Sequence, residues 1–508
     1  MRNNFIKTEF VAEYSSWIIG VSALLVFSPA MFLNLWLIDD HEIALLLTSF
    51  HNGGFSTFLD QWIQLPDFGT APRFRPVYYA LRAIEILVWQ DHATLWLATR
   101  MAISFIFALS IFKLMSKIIP ILPAIIVSLA TLGAPWLRDT LFRLGPSEAY
   151  AVLFTALLII ALIPKDADIR WLSVAACIAM LVGIKENFLI IIPLAMYAVF
   201  CLMRDGKMLK ALLAFFCVIF SLTCMAVLAY KIHLSSGLDI YSQNIGSDRF
   251  SVMLNSIFLS PQGWLTLALL GVPIFVVISE KLVVREIATV VVICACVAVL
   301  TFNLYFYSGV PAIQIHYAFP YWIIVLCMFS WGCARLGYKS EKLRSLAIKN
   351  GVILFVIAAM LTFMAANMWR GYKYALITIN VDRAITEIFQ KSKSIDEVVI
   401  VATSTGQYEA VISMARFMAF KKLSKPLFLD VSNAQGMSGI NADLSDTLML
   451  NLVDIGLKGG SGYQAGTNRK RDPNLCLEVV FESSTPSFCN SRVLMQYELV
   501  FNKIRGFL

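Results

Sequence analysis

The sequence predicts a polytopic α-helical membrane protein of about eleven spans that ends in a small α/β domain. Three observations predict it. Hydrophobic residues make up 59% of the 508 positions and charged residues only 15%, with a mean hydropathy of +0.74, far more apolar than a soluble chain. Long uncharged runs recur, the first from Trp17 to Ile38, long enough to cross a bilayer. Lys and Arg gather in alternate loops, as the positive-inside rule expects. That rule also accounts for the net charge of +8, so no nucleic-acid partner is implied.

Arg2 and Lys7 precede the first span, which places the N-terminus in the cytoplasm. The span is too long for a signal-peptide core and stays as an anchor. Residues 39–92 form the first outer loop. Within it, 55–65 and 77–89 read as amphipathic interfacial helices, although 77–92 could be a short span. Further runs follow at 93–115, 118–137, 149–164, 171–184, 188–203, 211–232, 263–279, 287–306, 319–334 and 350–369. Basic clusters such as Lys113/Lys117, Lys165/Arg170 and Arg204/Lys207/Lys210 keep falling on one side. The polar loop at 233–262 falls on the other.

The chain changes character near residue 370. A membrane domain over 1–369 and an extracytoplasmic α/β domain over 370–508 follow from that shift. Val398–Ala402, Pro426–Val431 and Leu477–Phe481 read as strands, with a helix reaching Phe420. Eight of the ten cysteines lie in or beside apolar runs, where packing is their ordinary role. Cys476 and Cys489 could pair if their domain lies outside the cytoplasm.

The candidate chemistry collects on the outer side. Asp39-Asp40-His41-Glu42 closes the first apolar run. It reads either as the edge of an active site or as a solvated helix cap. Arg73 and Arg75 flank Phe74 in a Pro-bounded turn. They suit phosphate or lipid head groups equally. Lys185-Glu186 falls between two short apolar runs, where an ionisable pair more often marks a site than a helix–helix turn. Arg138, Arg143 and Glu148 belong to a turn-rich loop and read as a brace. His316 is structural by default but could meet phosphate or a sugar hydroxyl. Thr403-Ser404-Thr405-Gly406 reads as an ordinary strand–helix turn.

An acidic pair after the first span, a loop with interfacial helices, Arg75-Pro76 before Tyr78-Tyr79, and Lys185-Glu186 opening a later helix together resemble the GT-C superfamily. Its members are membrane glycosyltransferases, related to protein O-mannosyltransferases and the aminoarabinose transferase of lipid A. The likeness covers roughly the first 200 residues. It implies a sugar donor on a polyprenyl phosphate and an acceptor that is a lipid, a glycan or a protein. It makes Asp40 or Asp39 the base or the ligand of a divalent cation, magnesium or manganese. It gives the donor phosphate to Arg73, Arg75 and Lys185, with His316 as a further candidate and Glu186, Arg138 and Glu148 in support. The implied setting is a bacterial inner membrane with a periplasmic active site. A transporter or flippase of a lipid-linked sugar, and a polysaccharide polymerase or ligase, are the rival readings.

Overall fold

The computed structural model describes residues 2–33, 41–63, 74–118, 121–163, 167–234, 249–259, 346–401, 408–423, 427–430, 475–480 and 491–494, with single positions elsewhere. The chain is helical through its first half. The helices are α1 (Arg2–Phe27), α2 (His41–Ile63), α3 (Pro76–Trp89), α4 (Ala93–Ile118), α5 (Ile121–Leu132), α6 (Pro135–Leu141), α7 (Glu148–Leu162), α8 (Ala167–Ile184), α9 (Ile192–Arg204), α10 (Met208–Leu234) and α11 (Arg249–Phe258). Three stretches among the described residues are long and apolar enough to cross a membrane: Tyr14–Phe32, Ala93–Lys117 and Met208–Lys231. The span expected at 287–306 lies outside the described residues, and those at 263–279 and 319–334 are described only at scattered positions.

Helix α10 shows how these elements meet two apolar surroundings. Ala211, Ala214, Val218, Ser221 and Cys224 recur at helical spacing and are buried. Small residues there let α8 and α9 approach closely. Leu209, Leu212, Phe216 and Ile219 stay exposed on the remaining surface, an apolar face suited to lipid rather than water.

Several expected elements differ in detail. The run 118–137 is not one helix. Pro135 has no N–H to continue α5, and Ala134 before it is extended (φ −68°, ψ 128°). The break leaves the Leu132 carbonyl at the end of α5, and Asn367 Nδ2 donates to it at 2.9 Å; the same nitrogen lies 3.2 Å from Ala134 O, which already accepts Leu137 N–H at the start of α6. Helix α2 begins at His41, earlier than the interfacial helix expected at 55–65. It kinks at Gly54, whose φ of 70° and ψ of −159° lie in a region open essentially to glycine. Beyond the kink Phe55, Leu59 and Ile63 form an exposed apolar stripe, consistent with an interfacial helix. The polar loop at 233–262 contains α11.

Helix α12 (Leu346–Lys391) runs unbroken past residue 370 into the C-terminal unit. There β1 (Glu397–Val401), β2 (Leu427–Asp430), β3 (Cys476–Val480) and β4 (Ser491–Leu494) form a parallel sheet in the order β2-β1-β3-β4. Val398, Val399 and Ile400 are all buried, as a strand covered on both faces requires. Helix α13 (Tyr408–Phe420) links β1 to β2 and packs on α2, where the Phe420 ring stacks on His51 at 5.9 Å. The Thr403-Ser404-Thr405-Gly406 turn lies outside the described residues.

Cys476 is disulfide-bonded, and its expected partner Cys489 lies outside the described residues. In protein from the native membrane, Cys476 should resist a thiol alkylating reagent until a reductant is added. Mass spectrometry of the labelled peptide checks this; labelling without reductant would show a free thiol.

Candidate functional site

The described bundle has two chemically different ends. Lys113, Lys117, Arg204 and Lys207 are exposed at one. At the other, around the starts of α3, α4 and α7 and the end of α8, charged side chains are buried.

Pro76 opens α3 with its φ already fixed. Arg75, held out of helical geometry ahead of it, projects from the helix start toward α8. At the end of α8, Lys185 is extended (φ −154°, ψ 135°). An extended residue sends neighbouring side chains in opposite directions. The sequence-adjacent Lys185 and Glu186 therefore part. Arg75 clasps Glu186 with two bonds, Nε to Oε2 at 2.8 Å and Nη2 to Oε1 at 2.7 Å. Lys185 donates to Glu148 at the first turn of α7. Ser147 Oγ donates to the same carboxylate at 3.4 Å.

The close approach of α3 and α8 depends on Gly183. A Cβ there would lie 2.3 Å from Val77 Cγ2. Gly183→Leu should cost about 1–3 kcal/mol by overpacking and pull Arg75 away from Glu186. Thermal unfolding in detergent checks it; an unchanged midpoint would mean the helices can part freely.

A second cluster adjoins the first through the α6–α7 connection. Glu85 on α3 receives Arg100 Nη1 and Nη2 at 3.1 Å each and the Tyr150 hydroxyl. Arg82, one turn back on the same face of α3, donates to the carbonyls of Leu144 and Gly145, the latter at 3.0 Å. Its guanidinium stands 5.3, 5.5 and 5.6 Å from the rings of Tyr78, Trp96 and Tyr150. Each such cation–π contact contributes about 0.5–2 kcal/mol. Tyr78 donates to Gly145 O at 2.9 Å. Burial pushes its phenol well above the ordinary range, Arg82 pulls it back, and the Glu42 charge raises it further. Tyr78 thus remains a donor at neutral pH. Glu42 is the last residue of the acidic stretch, and its charge is felt at Tyr78.

Arg138 pairs not with Glu148 but with its neighbour Asp139, Nη2 to Oδ1 at 2.6 Å. Burial pushes the Asp139 carboxyl up, while Arg138, Arg143 and Arg370 draw it down. Of the expected brace, Arg138 therefore pairs with Asp139 while Glu148 receives Lys185. Phe319 packs on Trp136 at 5.0 Å and on Phe188 at 6.5 Å. It connects α6 with the turn after Lys185.

Of the residues picked from sequence, Arg75, Lys185, Glu186 and Glu148 come together. Arg138 sits apart on α6. Asp39, Asp40, Arg73 and His316 lie outside the described residues. The sequence reading gave no role to Glu85, Arg100, Tyr150 or Asn187, and used Tyr78 only as part of the motif after Arg75-Pro76. Arg100 carried a usable signal, a charge two turns into an otherwise apolar span. Arg82 and Glu85 carried another, opposite charges three apart on one helix.

Among the described residues no group of three His, Cys, Asp or Glu side chains is placed to hold a metal ion. No protein-family model matches the chain, and no curated protein matches it.

Proposed function

We propose that the protein is a GT-C-like glycosyltransferase. It would move a sugar from a polyprenyl phosphate to a lipid, glycan or protein acceptor. One observation carries the reading: the start of α3, the start of α7 and the end of α8 each deliver a buried ionic group to one end of the bundle. Ion pairs in such surroundings rarely stabilise more than apolar packing would. Their presence in an apolar bundle is better explained by a substrate that needs them.

In this reading the acceptor hydroxyl or amine attacks the anomeric carbon. The bond from that carbon to the phosphate oxygen breaks, and the polyprenyl phosphate leaves with the electron pair. Asp40 or Asp39 takes the nucleophile's proton. Arg75 and Lys185 stabilise the departing phosphate, which takes over the bonds now made by Glu186 and Glu148. A divalent cation, if the acidic pair holds one, would add charge stabilisation. Eleven spans, a cytoplasmic N-terminus and a periplasmic C-terminal domain in a bacterial inner membrane complete the proposal. The disulfide at Cys476 supports an oxidising compartment for that domain.

The burial of both ion pairs favours a second reading, a transporter or flippase of the same lipid, which must hide charge while it moves. A polymerase or ligase would share the donor. Reconstituted protein given a radiolabelled polyprenyl-phosphate sugar separates them. Transfer of label to an extracted membrane acceptor, abolished in Asp39→Asn/Asp40→Asn, supports the enzyme. Label that crosses the bilayer chemically unchanged supports the transporter instead.

A further inference from the structure

Asn187 follows Lys185-Glu186 directly, in the 3₁₀ turn Glu186–Ile191. It is 3% exposed. Neither its amide nitrogen nor its amide oxygen has a hydrogen-bond partner. A buried amide left with both ends unmet is unfavourable, and leucine would fill the same space without that penalty. The position is also the junction of both ion pairs, since the two residues before it hold Glu148 and Arg75.

Building on the proposed donor, we infer that Asn187 is a binding residue for the sugar ring of that donor, reading hydroxyl groups beside the phosphate held by Arg75 and Lys185. The chemistry of the amide selects the ligand. Asn presents a donor and an acceptor side by side. A phosphate diester offers only acceptors, so it could satisfy Nδ2 and would leave Oδ1 facing like charge. A sugar hydroxyl both gives and accepts, and two neighbouring hydroxyls match the whole amide. The amide is sealed in this structure, so the sugar meets it as the adjoining ion pairs open to the phosphate. Asn187 then gains in the complex the bonds it lacks without it.

The test uses the full-length protein in detergent. Its thermal midpoint is measured alone, with bare polyprenyl phosphate, and with polyprenyl-phosphate mannose and glucose. The wild type should be raised by the bare lipid and raised further by at least one sugar-bearing lipid. Asn187→Leu should match or exceed the wild-type midpoint without ligand. It should keep the response to the bare lipid and lose the added increment. Asn187→Ala should give the same pattern if leucine fits poorly. An increment that survives in both variants overturns the inference, as does a wild type that no sugar improves. Loss of the bare-lipid response in the variants would instead make Asn187 a phosphate ligand and also overturn it. A wild type that does not respond to bare lipid phosphate rejects the donor reading itself, and the inference with it.

Discussion

Glu85→Ala is expected to destabilise the folded bundle by about 3–5 kcal/mol, the range seen when one partner of a buried ion pair is removed. That is a large share of a typical folding free energy. The reason is local. Glu85 is 7% exposed, and Arg82 and Arg100 on either side are each 1% exposed. Without the carboxylate, Arg100 keeps a long bond to Leu144 O at 3.5 Å and its contact with the Tyr150 ring at 4.8 Å, but no counter-charge among these partners. The Tyr150 hydroxyl loses its acceptor too. The effect should reach the ionic site, because Arg82 and Arg100 hold the carbonyls that lead the chain into Ser147 and Glu148. Glu85→Gln keeps the volume and should cost less. Glu85→Leu/Arg100→Met should recover part of the loss, since it leaves one fewer uncompensated charge. Thermal unfolding and detergent-extracted yield check the series. Equal midpoints for wild type and Glu85→Ala would mean that water reaches this cluster.

This cluster also shows how far the sequence could be read. Helix α10 was legible because an uncharged run of spanning length admits few alternatives. Three of the four strands of the C-terminal unit were legible from short apolar runs set between turn residues, whereas β4 was not read from the sequence. The break between α5 and α6 was half legible. Pro135 marked it, but Asn367, which donates to the Leu132 carbonyl left at the break, lies more than two hundred positions away. The same limit governs the site. Lys185 and Glu186 look like partners because they are adjacent, yet an extended backbone at Lys185 turns them apart. Their true partners, Glu148 and Arg75, are set by helix packing over separations of 37 and 111 residues. Charge placed in an apolar run announces that a partner must exist. It does not say which one.

The Arg75–Glu186 pair allows structural bracing to be separated from function. Arg75→Met alone should destabilise by about 3–5 kcal/mol, because it removes the guanidinium that makes two bonds to the buried Glu186 carboxylate. Glu186→Leu alone should take the bidentate acceptor from Arg75 and cost a similar amount. The double replacement removes both charges and keeps apolar volume, so its stability should return close to wild type or exceed it. Activity should not follow stability. If Arg75 takes the donor phosphate when Glu186 releases it, the double variant folds but cannot transfer sugar. Glu186→Gln, which keeps a neutral partner beside Arg75, should then bind polyprenyl phosphate more tightly, since less competition opposes the exchange. A brace predicts the reverse, with transfer restored in the double variant along with its thermal midpoint. Transfer rate and midpoint, measured on the same preparations, discriminate the two. The separation works because an ion pair's contribution to stability can be replaced by hydrocarbon, whereas its capacity to hold a phosphate cannot.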